Sequence, residues 1–95
     1  MKFLEEYGFN QDDIQEFVDG TPKRLMEVIL KNLPLVKKNL GYVKDLGIDT
    51  YKEIFINYPD MFLMDASNFS EIFSKYNTEE LITKLNSNFK MVEYL

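Results

Sequence analysis

The heptapeptide FLEEYGF occupies residues 3–9 of the chain, and YVKDLGI occupies residues 42–48. Both contain, in the same order, an aromatic residue, an aliphatic residue, two charged residues, a large residue, glycine and an apolar residue, at an offset of 39. Glycine in that place is typical of a helix end, because it adopts the left-handed backbone conformation at little cost. The two heptapeptides therefore predict that one helix-and-turn unit occurs twice.

The similarity continues from the glycine into a second helix and a turn marked by proline, at an offset of 37. The aligned pairs are Phe17 with Ile54, Val18 with Phe55, Pro22 with Pro59, and Leu25 with Phe62. A weaker third copy begins near Tyr76 and lacks the proline, as terminal repeats often depart from the pattern. One such unit cannot bury its apolar face alone, so we predict that the units stack. The alternative is a coincidence among amphipathic helices.

We predict a single helical-repeat domain over residues 1–95. Repeat 1 covers about residues 1–40, repeat 2 about 41–75, and a degenerate terminal repeat about 76–95. A chain of 95 residues has no room for two independent cores. Its 45% of hydrophobic residues, with eight Phe and six Tyr, supply enough apolar surface for one core.

Residues that start helices recur along the whole chain. Asn10 and Asn77 suit the N-cap position, and Thr50 with Glu53 has the spacing of a capping box. No alternating apolar and polar run exceeds four residues, so we predict an all-α protein.

Two further helix boundaries are predicted from the sequence. Thr21 precedes Pro22 as an N-cap precedes the first residue of a helix. The last helix is expected to begin after Asn77 and to carry one continuous apolar face. The residues of that face are Leu81, Leu85, Phe89 and Val92.

The repeated unit resembles the repeat of the mitochondrial transcription termination factor (mTERF) family. The residues that carry the resemblance are Tyr7-Gly8-Phe9, Pro22 and Leu25 in one copy, and Leu46-Gly47-Ile48, Pro59 and Phe62-Leu63 in the next. The resemblance covers about residues 3–73. It implies an α-solenoid of helix triplets. The repeats themselves predict a short right- or left-handed α-solenoid or helical array of about two and a half helix-pair repeats. The resemblance also implies a concave basic face that binds nucleic acid, without catalytic residues.

Charge is distributed unevenly along the chain, whose net charge is −5. Residues 23–44 hold six bases and one acid, for a net charge of +5, whereas residues 1–22 and 45–95 each carry −5. The six bases are Lys23, Arg24, Lys31, Lys37, Lys38 and Lys44. We predict that they bind a nucleic acid or another partner, because a basic groove neutralises phosphates. The alternative is a solvated face whose lysines balance the acidic flanks within the fold.

The chain lacks the residues of the commonest catalytic and metal sites. It has no His and no Cys, which excludes Ser-His-Asp triads, Cys-His nucleophiles and most zinc sites. The four glycines are not clustered as a phosphate-binding loop requires. Acidic pairs such as Asp12-Asp13 leave a two-carboxylate hydrolase as a formal alternative. We predict no enzyme, no cofactor and no metal.

An apolar run follows Pro59 and is a second candidate contact surface. Its residues are Met61, Phe62 and Met64, and the alternative is burial between stacked repeats. The absence of Cys and of a signal sequence predicts a cytoplasmic location, and no membrane association is expected. Together these features favour a helical module that binds a protein partner or self-associates. Nucleic-acid binding through residues 23–44 is the alternative.

Overall fold

Seven α-helices and two 3-10 helices account for 78% of the chain, and no strand is present. The computed structural model describes all residues from 1 to 95. The α-helices are α1 (Lys2–Glu6), α2 (Gln11–Gly20), α3 (Lys23–Lys31), α4 (Leu33–Asp45), α5 (Tyr51–Asn57), α6 (Ala66–Ser74) and α7 (Thr78–Ser87). The 3-10 helices are η1 (Pro59–Leu63) and η2 (Phe89–Tyr94). The all-α prediction is confirmed.

Asparagine side chains cap the N-termini of α2 and α7, as the sequence predicts. The Asn10 side chain accepts a hydrogen bond from the Asp13 amide at 2.8 Å, and the Asp13 carboxylate accepts from the Asn10 amide at 3.0 Å. Asn77 accepts from the Glu80 amide at 3.1 Å. Each cap satisfies an amide that has no partner within its helix and contributes about 1 kcal/mol.

Neither Thr50 nor Thr21 makes the predicted capping bond, because the Thr50 hydroxyl has a tertiary acceptor and the Thr21 hydroxyl bonds back to α2. Thr50 makes no capping bond, and its hydroxyl donates instead to the Leu85 carbonyl oxygen at 2.9 Å. Thr21 follows the last turn of α2, and its hydroxyl donates back to the Phe17 carbonyl oxygen at 2.6 Å. Pro22 therefore takes the N-cap position of α3.

The last predicted helix is interrupted. α7 ends at Ser87, because Asn88 has an extended backbone with φ −155° and ψ 102°. The Asn88 side chain accepts from the Lys90 amide at 3.1 Å and so starts η2. Val92 is still buried and Phe89 half-buried, which η2 achieves by turning back over α7 and α5.

A chain of aromatic rings runs through the core. Phe17 of α2 stacks on Phe55 of α5 with ring centroids 4.8 Å apart. Phe55 contacts Phe62 of η1 at 5.1 Å, and Phe62 contacts Phe69 of α6 at the same distance. Phe69 in turn contacts Phe73 at 5.1 Å, and all five rings are buried. The core is therefore continuous from α2 to α6.

Helices distant in sequence pack in a regular order. α2 packs against α5, α4 against α6, and η1 against α3, α4 and α5. The succession of two α-helices and a 3-10 helix occurs twice, as α4–α5–η1 and as α6–α7–η2. The molecule measures 35 × 26 × 22 Å along its principal axes. None of its helices combines the length and apolar character needed to cross a lipid bilayer.

Candidate interaction surfaces

The six basic residues of segment 23–44 lie on α3 and α4. α3 carries Lys23, Arg24 and Lys31, and α4 carries Lys37, Lys38 and Lys44. Lys37 is half-buried and its ammonium lies 3.7 Å from the Glu6 carboxylate, whereas the other five are exposed and form no ion pair within 4.0 Å. Among the six, only Lys37 forms a direct ion pair with the acidic flanks.

The lysines of α4 occupy two sides of that helix. Lys37 and Lys44 are seven residues apart and share a side with Gly41. α1 covers this side, because the Tyr7 ring would lie 3.5 Å from a Cβ at Gly41 and Glu6 pairs with Lys37. Lys38 belongs to the other side, which faces α6.

A shallow polar groove lies between α4 and α6. Its lining residues are Lys38, Asn39, Tyr42, Ala66, Ser67 and Ser70. Asn39 is buried and donates from Nδ2 to the carbonyl oxygens of Phe62 at 3.0 Å and Met64 at 2.8 Å. Its Oδ1 has no hydrogen-bond partner. The Tyr42 hydroxyl donates to the Ser70 carbonyl oxygen at 3.4 Å, so the groove combines one free ammonium with one aromatic ring.

The apolar run after Pro59 contributes less surface than predicted. Phe62 is fully buried between the rings of Phe55 and Phe69, so its assignment as a contact residue is wrong. The reason is the tight 3-10 turn, which directs every third side chain of η1 to the same side. Met61 and Met64 are half-buried and stay available only in part.

Six large apolar side chains are exposed: Met1, Val18, Val28, Leu30, Tyr76 and Tyr94. Tyr76 and Tyr94 lie together in one cleft beside α7. Val18 lies on α2, whereas Val28 and Leu30 point to opposite sides of α3. The exposed fractions of Val18, Val28 and Leu30 are 41%, 40% and 46%.

The α7–η2 cleft is the most enclosed concavity of the chain, with a volume of about 200 Å³. Its apolar lining consists of Tyr76, Leu81, Leu85, Met91, Tyr94 and Leu95, and Glu80 and Lys84 also line it. Pockets for small ligands usually have about 300–1,000 Å³. The cleft therefore fits one or two apolar side chains of a protein better than a small molecule.

Two tyrosines fasten α1 to its neighbours. The Tyr7 hydroxyl donates to the Lys37 carbonyl oxygen at 3.1 Å, and the Tyr51 hydroxyl donates to the Tyr7 carbonyl oxygen at 2.6 Å. Burial raises the pKa of both hydroxyls above the ordinary value of 10.0, and nearby carboxylates raise it further. Those carboxylates are Glu6 and Asp45 for Tyr7, and Asp13 and Glu53 for Tyr51. These tyrosines hold the fold together.

No group of three or more acidic side chains is arranged to hold a metal ion. No protein-family model, curated protein or solved structure matches the chain. The candidate surfaces are therefore defined by their own geometry and chemistry.

The sequence contained signals for two features that the predictions missed. Asn39 stands at i+3 from Val36 and i+4 from Leu35, on the apolar side of α4, where a polar residue needs partners. Val28 and Leu30 lie on opposite sides of the buried Ile29, so a single helix face cannot bury all three. The position of Tyr51 beside Tyr7 depends on tertiary packing and had no local signal.

Proposed function

We propose that the chain is a non-enzymatic helical interaction module that binds a protein partner or a second copy of itself. The observation that carries this proposal is the α7–η2 cleft, where the exposed Tyr76 and Tyr94 line an apolar concavity, and further apolar side chains are exposed on α2 and α3. Single exposed apolar residues are normal, whereas grouped ones mark binding surfaces. The core is continuous and well filled, so these side chains are not remnants of a poorly formed interior.

We further propose that the domain is a short helical array of the kind the mTERF-like resemblance implies. Corresponding elements of successive units pack on one another, as α2 does on α5 and α4 on α6. The repeated order of two α-helices and a 3-10 helix supports the same arrangement. Such arrays commonly bind other macromolecules through their extended surfaces.

Affinity capture with surface variants tests the interaction proposal. The bait proteins are the wild type, Val28→Gln/Leu30→Gln for the exposed side chains of α3, and Tyr94→Ser for the cleft. Gln keeps a high helix propensity, so the first variant should fold normally. We expect proteins from the cells that make this chain to be retained by the wild type, lost with one of the variants, and bound directly once purified. The absence of any specifically retained protein, together with a monomeric wild type, would contradict the proposal, whereas identical retention by all three baits would place the contact on another surface.

Nucleic-acid binding is the second candidate function. It is favoured by the five basic side chains that form no ion pair, and by the position of Lys38 beside Tyr42 in the α4–α6 groove. An ammonium that contacts a phosphate and a ring that stacks on a base are the usual elements of single-strand binding.

Fluorescence anisotropy with labelled single-stranded and duplex DNA and RNA, at two salt concentrations, tests this candidate. Binding should weaken with salt and disappear when Lys31, Lys37, Lys38 and Lys44 are changed to Glu. The matched control changes Lys2, Lys75, Lys84 and Lys90 to Glu, which alters the net charge equally at exposed sites elsewhere. Equal loss in both variants would show that net charge alone governs binding, and no binding at low salt would remove the candidate.

A further inference from the structure

We propose that two copies of the chain associate through the α7–η2 cleft, with α7 of one copy antiparallel to α7 of the other. This inference rests on the proposed function and names its partner as a second copy. Three features carry it: an exposed outer side of α7, an acid and a base on the rim of the cleft that form no ion pair, and two exposed tyrosines in its lining.

α7 has an outer side that is open to solvent. This helix packs mainly against α6 and η2, whereas α5 packs against α2, α4, η1 and η2. Four exposed residues border one shallow depression on the outer side: Glu79, Glu80, Thr83 and Lys84. Glu80 and Lys84 also line the cleft, so the depression and the cleft adjoin. A partner can therefore reach the rim of the cleft without displacing any part of the chain.

The charges on the rim of the cleft are complementary to themselves. Glu80 and Lys84 both line the cleft and are one helical turn apart, so they lie on the same side of α7. Neither side chain forms an ion pair within 4.0 Å. When two antiparallel α7 helices meet at the level of residue 82, Glu80 of each copy lies opposite Lys84 of the other. A parallel pair in register would place like charges opposite each other, which disfavours it.

The same antiparallel arrangement brings the two clefts together. A two-fold axis that runs between the helices, at right angles to both, reverses the helix direction and leaves both clefts on one side of the pair. Tyr94 lines the cleft and is 78% exposed, the largest fraction among the large apolar side chains. We therefore place the Tyr94 ring of each copy against the cleft of the other, beside Tyr76. This contact removes both rings from water.

The size of the contact sets the strength of association to be expected. α7 and η2 contain ten and six residues, and part of each is buried in the core. The pair therefore buries less than the about 800 Å² per partner of a standard interface. Interfaces below that size are typical of weak, reversible association, so we expect a dissociation constant in the micromolar range.

Charge reversal with restoration in a mixture tests the pairing by sedimentation velocity on the full chain, from about 1 to about 500 μM. Variant A is Glu80→Lys and variant B is Lys84→Glu. The wild type should dimerise, and each variant alone should associate at least about tenfold more weakly, because both contacts then bring like charges together. An equimolar mixture of A and B should dimerise to within about threefold of the wild type, since both contacts regain opposite charges. This restoration also shows that both variants are folded.

The matched controls are Glu16→Lys and Lys31→Glu, which change the net charge as variants A and B do, at exposed sites on α2 and α3. Both should dimerise like the wild type.

A second pair of variants tests the apolar contact. Tyr94→Ser should weaken dimerisation at least about tenfold, because buried aromatic rings contribute much of the binding energy of an interface. Tyr94→Phe keeps the ring and should dimerise to within about threefold of the wild type.

A wild type that stays monomeric up to about 500 μM, an equal loss in the variants and their matched controls, a mixture of A and B that fails to dimerise, or a dimer unaffected by Tyr94→Ser would each overturn this pairing. Affinity capture distinguishes these outcomes from failure of the proposed function. A monomeric wild type that retains a protein lost with Tyr94→Ser keeps the interaction module and overturns the second copy as its partner. A monomeric wild type that retains no protein overturns both.

Discussion

The Tyr51 hydroxyl donates a hydrogen bond to the Tyr7 carbonyl oxygen, 44 residues away in sequence. The Tyr7 hydroxyl donates in turn to the Lys37 carbonyl oxygen in α4. Both phenols are donors, so both must keep their proton for these bonds to form. Burial and neighbouring carboxylates raise the pKa of each hydroxyl in the folded state above its ordinary value of 10.0. A raised folded-state pKa stabilises the fold below the unfolded value, and this contribution is lost as pH rises through the folded value.

Alkaline unfolding should therefore depend on Tyr51. Tyr51→Phe removes a titrating group and a hydrogen bond, so we expect about 0.5–1.5 kcal/mol less stability near pH 8. Between about pH 8 and pH 11 this variant should lose less stability than the wild type, because one hydroxyl no longer has to ionise. Urea unfolding at both pH values measures this. Tyr94→Phe, at a side chain 78% exposed, is the control at pH 8, and an equal loss with pH in Tyr51→Phe and the wild type would contradict the role of Tyr51.

Other single residues show why local reasoning succeeds or fails. Asn10 and Asn77 cap their helices as predicted, because a cap bonds to an amide three residues away. Thr50 has the same local spacing, but its hydroxyl bonds to Leu85, which only the folded chain brings near. Phe62 was predicted as a surface candidate and is a core residue for the same reason.

At the scale of elements, the two glycines that have a positive φ differ from the two that do not. Gly8 and Gly47 have φ of 87° and 95°, and both lie in the heptapeptides whose repetition predicted the helix-and-turn unit. Gly20 is the last residue of α2 and Gly41 lies within α4; neither has a positive φ, and glycine within a helix costs about 1 kcal/mol relative to alanine. A Cβ at Gly41 would meet only the Tyr7 side chain within 4 Å, and no backbone of another helix lies that close to it.

Alanine substitutions should separate the two kinds of glycine. A Cβ at Gly20 would meet nothing within 4 Å, so Gly20→Ala should stabilise the fold by about 0.5–1 kcal/mol. Gly47→Ala should destabilise it by about 1–2 kcal/mol, since alanine is strained in the left-handed region. A Cβ there would be 3.6 Å from Ile82, which is an ordinary contact, so strain alone sets the cost. Urea unfolding measures both changes in stability. A Gly47→Ala protein as stable as the wild type would contradict the predicted backbone strain at Gly47.

Helix boundaries were predicted well where a nearby capping residue sets them. They were predicted poorly where packing against a distant element sets them. The apolar spacing of Leu81, Leu85 and Val92 suggested one continuous helix, yet Asn88 breaks it and η2 folds back. The break lets η2 pack against α5. The sequence of α7 gives no local signal of that packing. Ser87 and Asn88 are typical residues of a helix boundary, and they end α7 although the apolar spacing continues beyond them.

At the scale of the whole molecule, the chain has one continuous core and a surface on which some large apolar side chains remain exposed. Composition and helix punctuation were sufficient to predict the all-α class. Which apolar side chains stay outside could not be predicted, because exposure depends on which helices meet. One face of α3 cannot bury Val28, Ile29 and Leu30 together, and only the fold determines that Ile29 is the buried one.

The most direct test of the interaction module compares stability and binding in Tyr94→Ser. The Tyr94 side chain is 78% exposed in the folded chain, so its replacement should change the urea midpoint little. The account predicts that this variant unfolds like the wild type and yet loses the second copy or the protein partner that the wild type binds. Normal stability with undiminished binding to every partner, the second copy included, would contradict the account at the α7–η2 cleft.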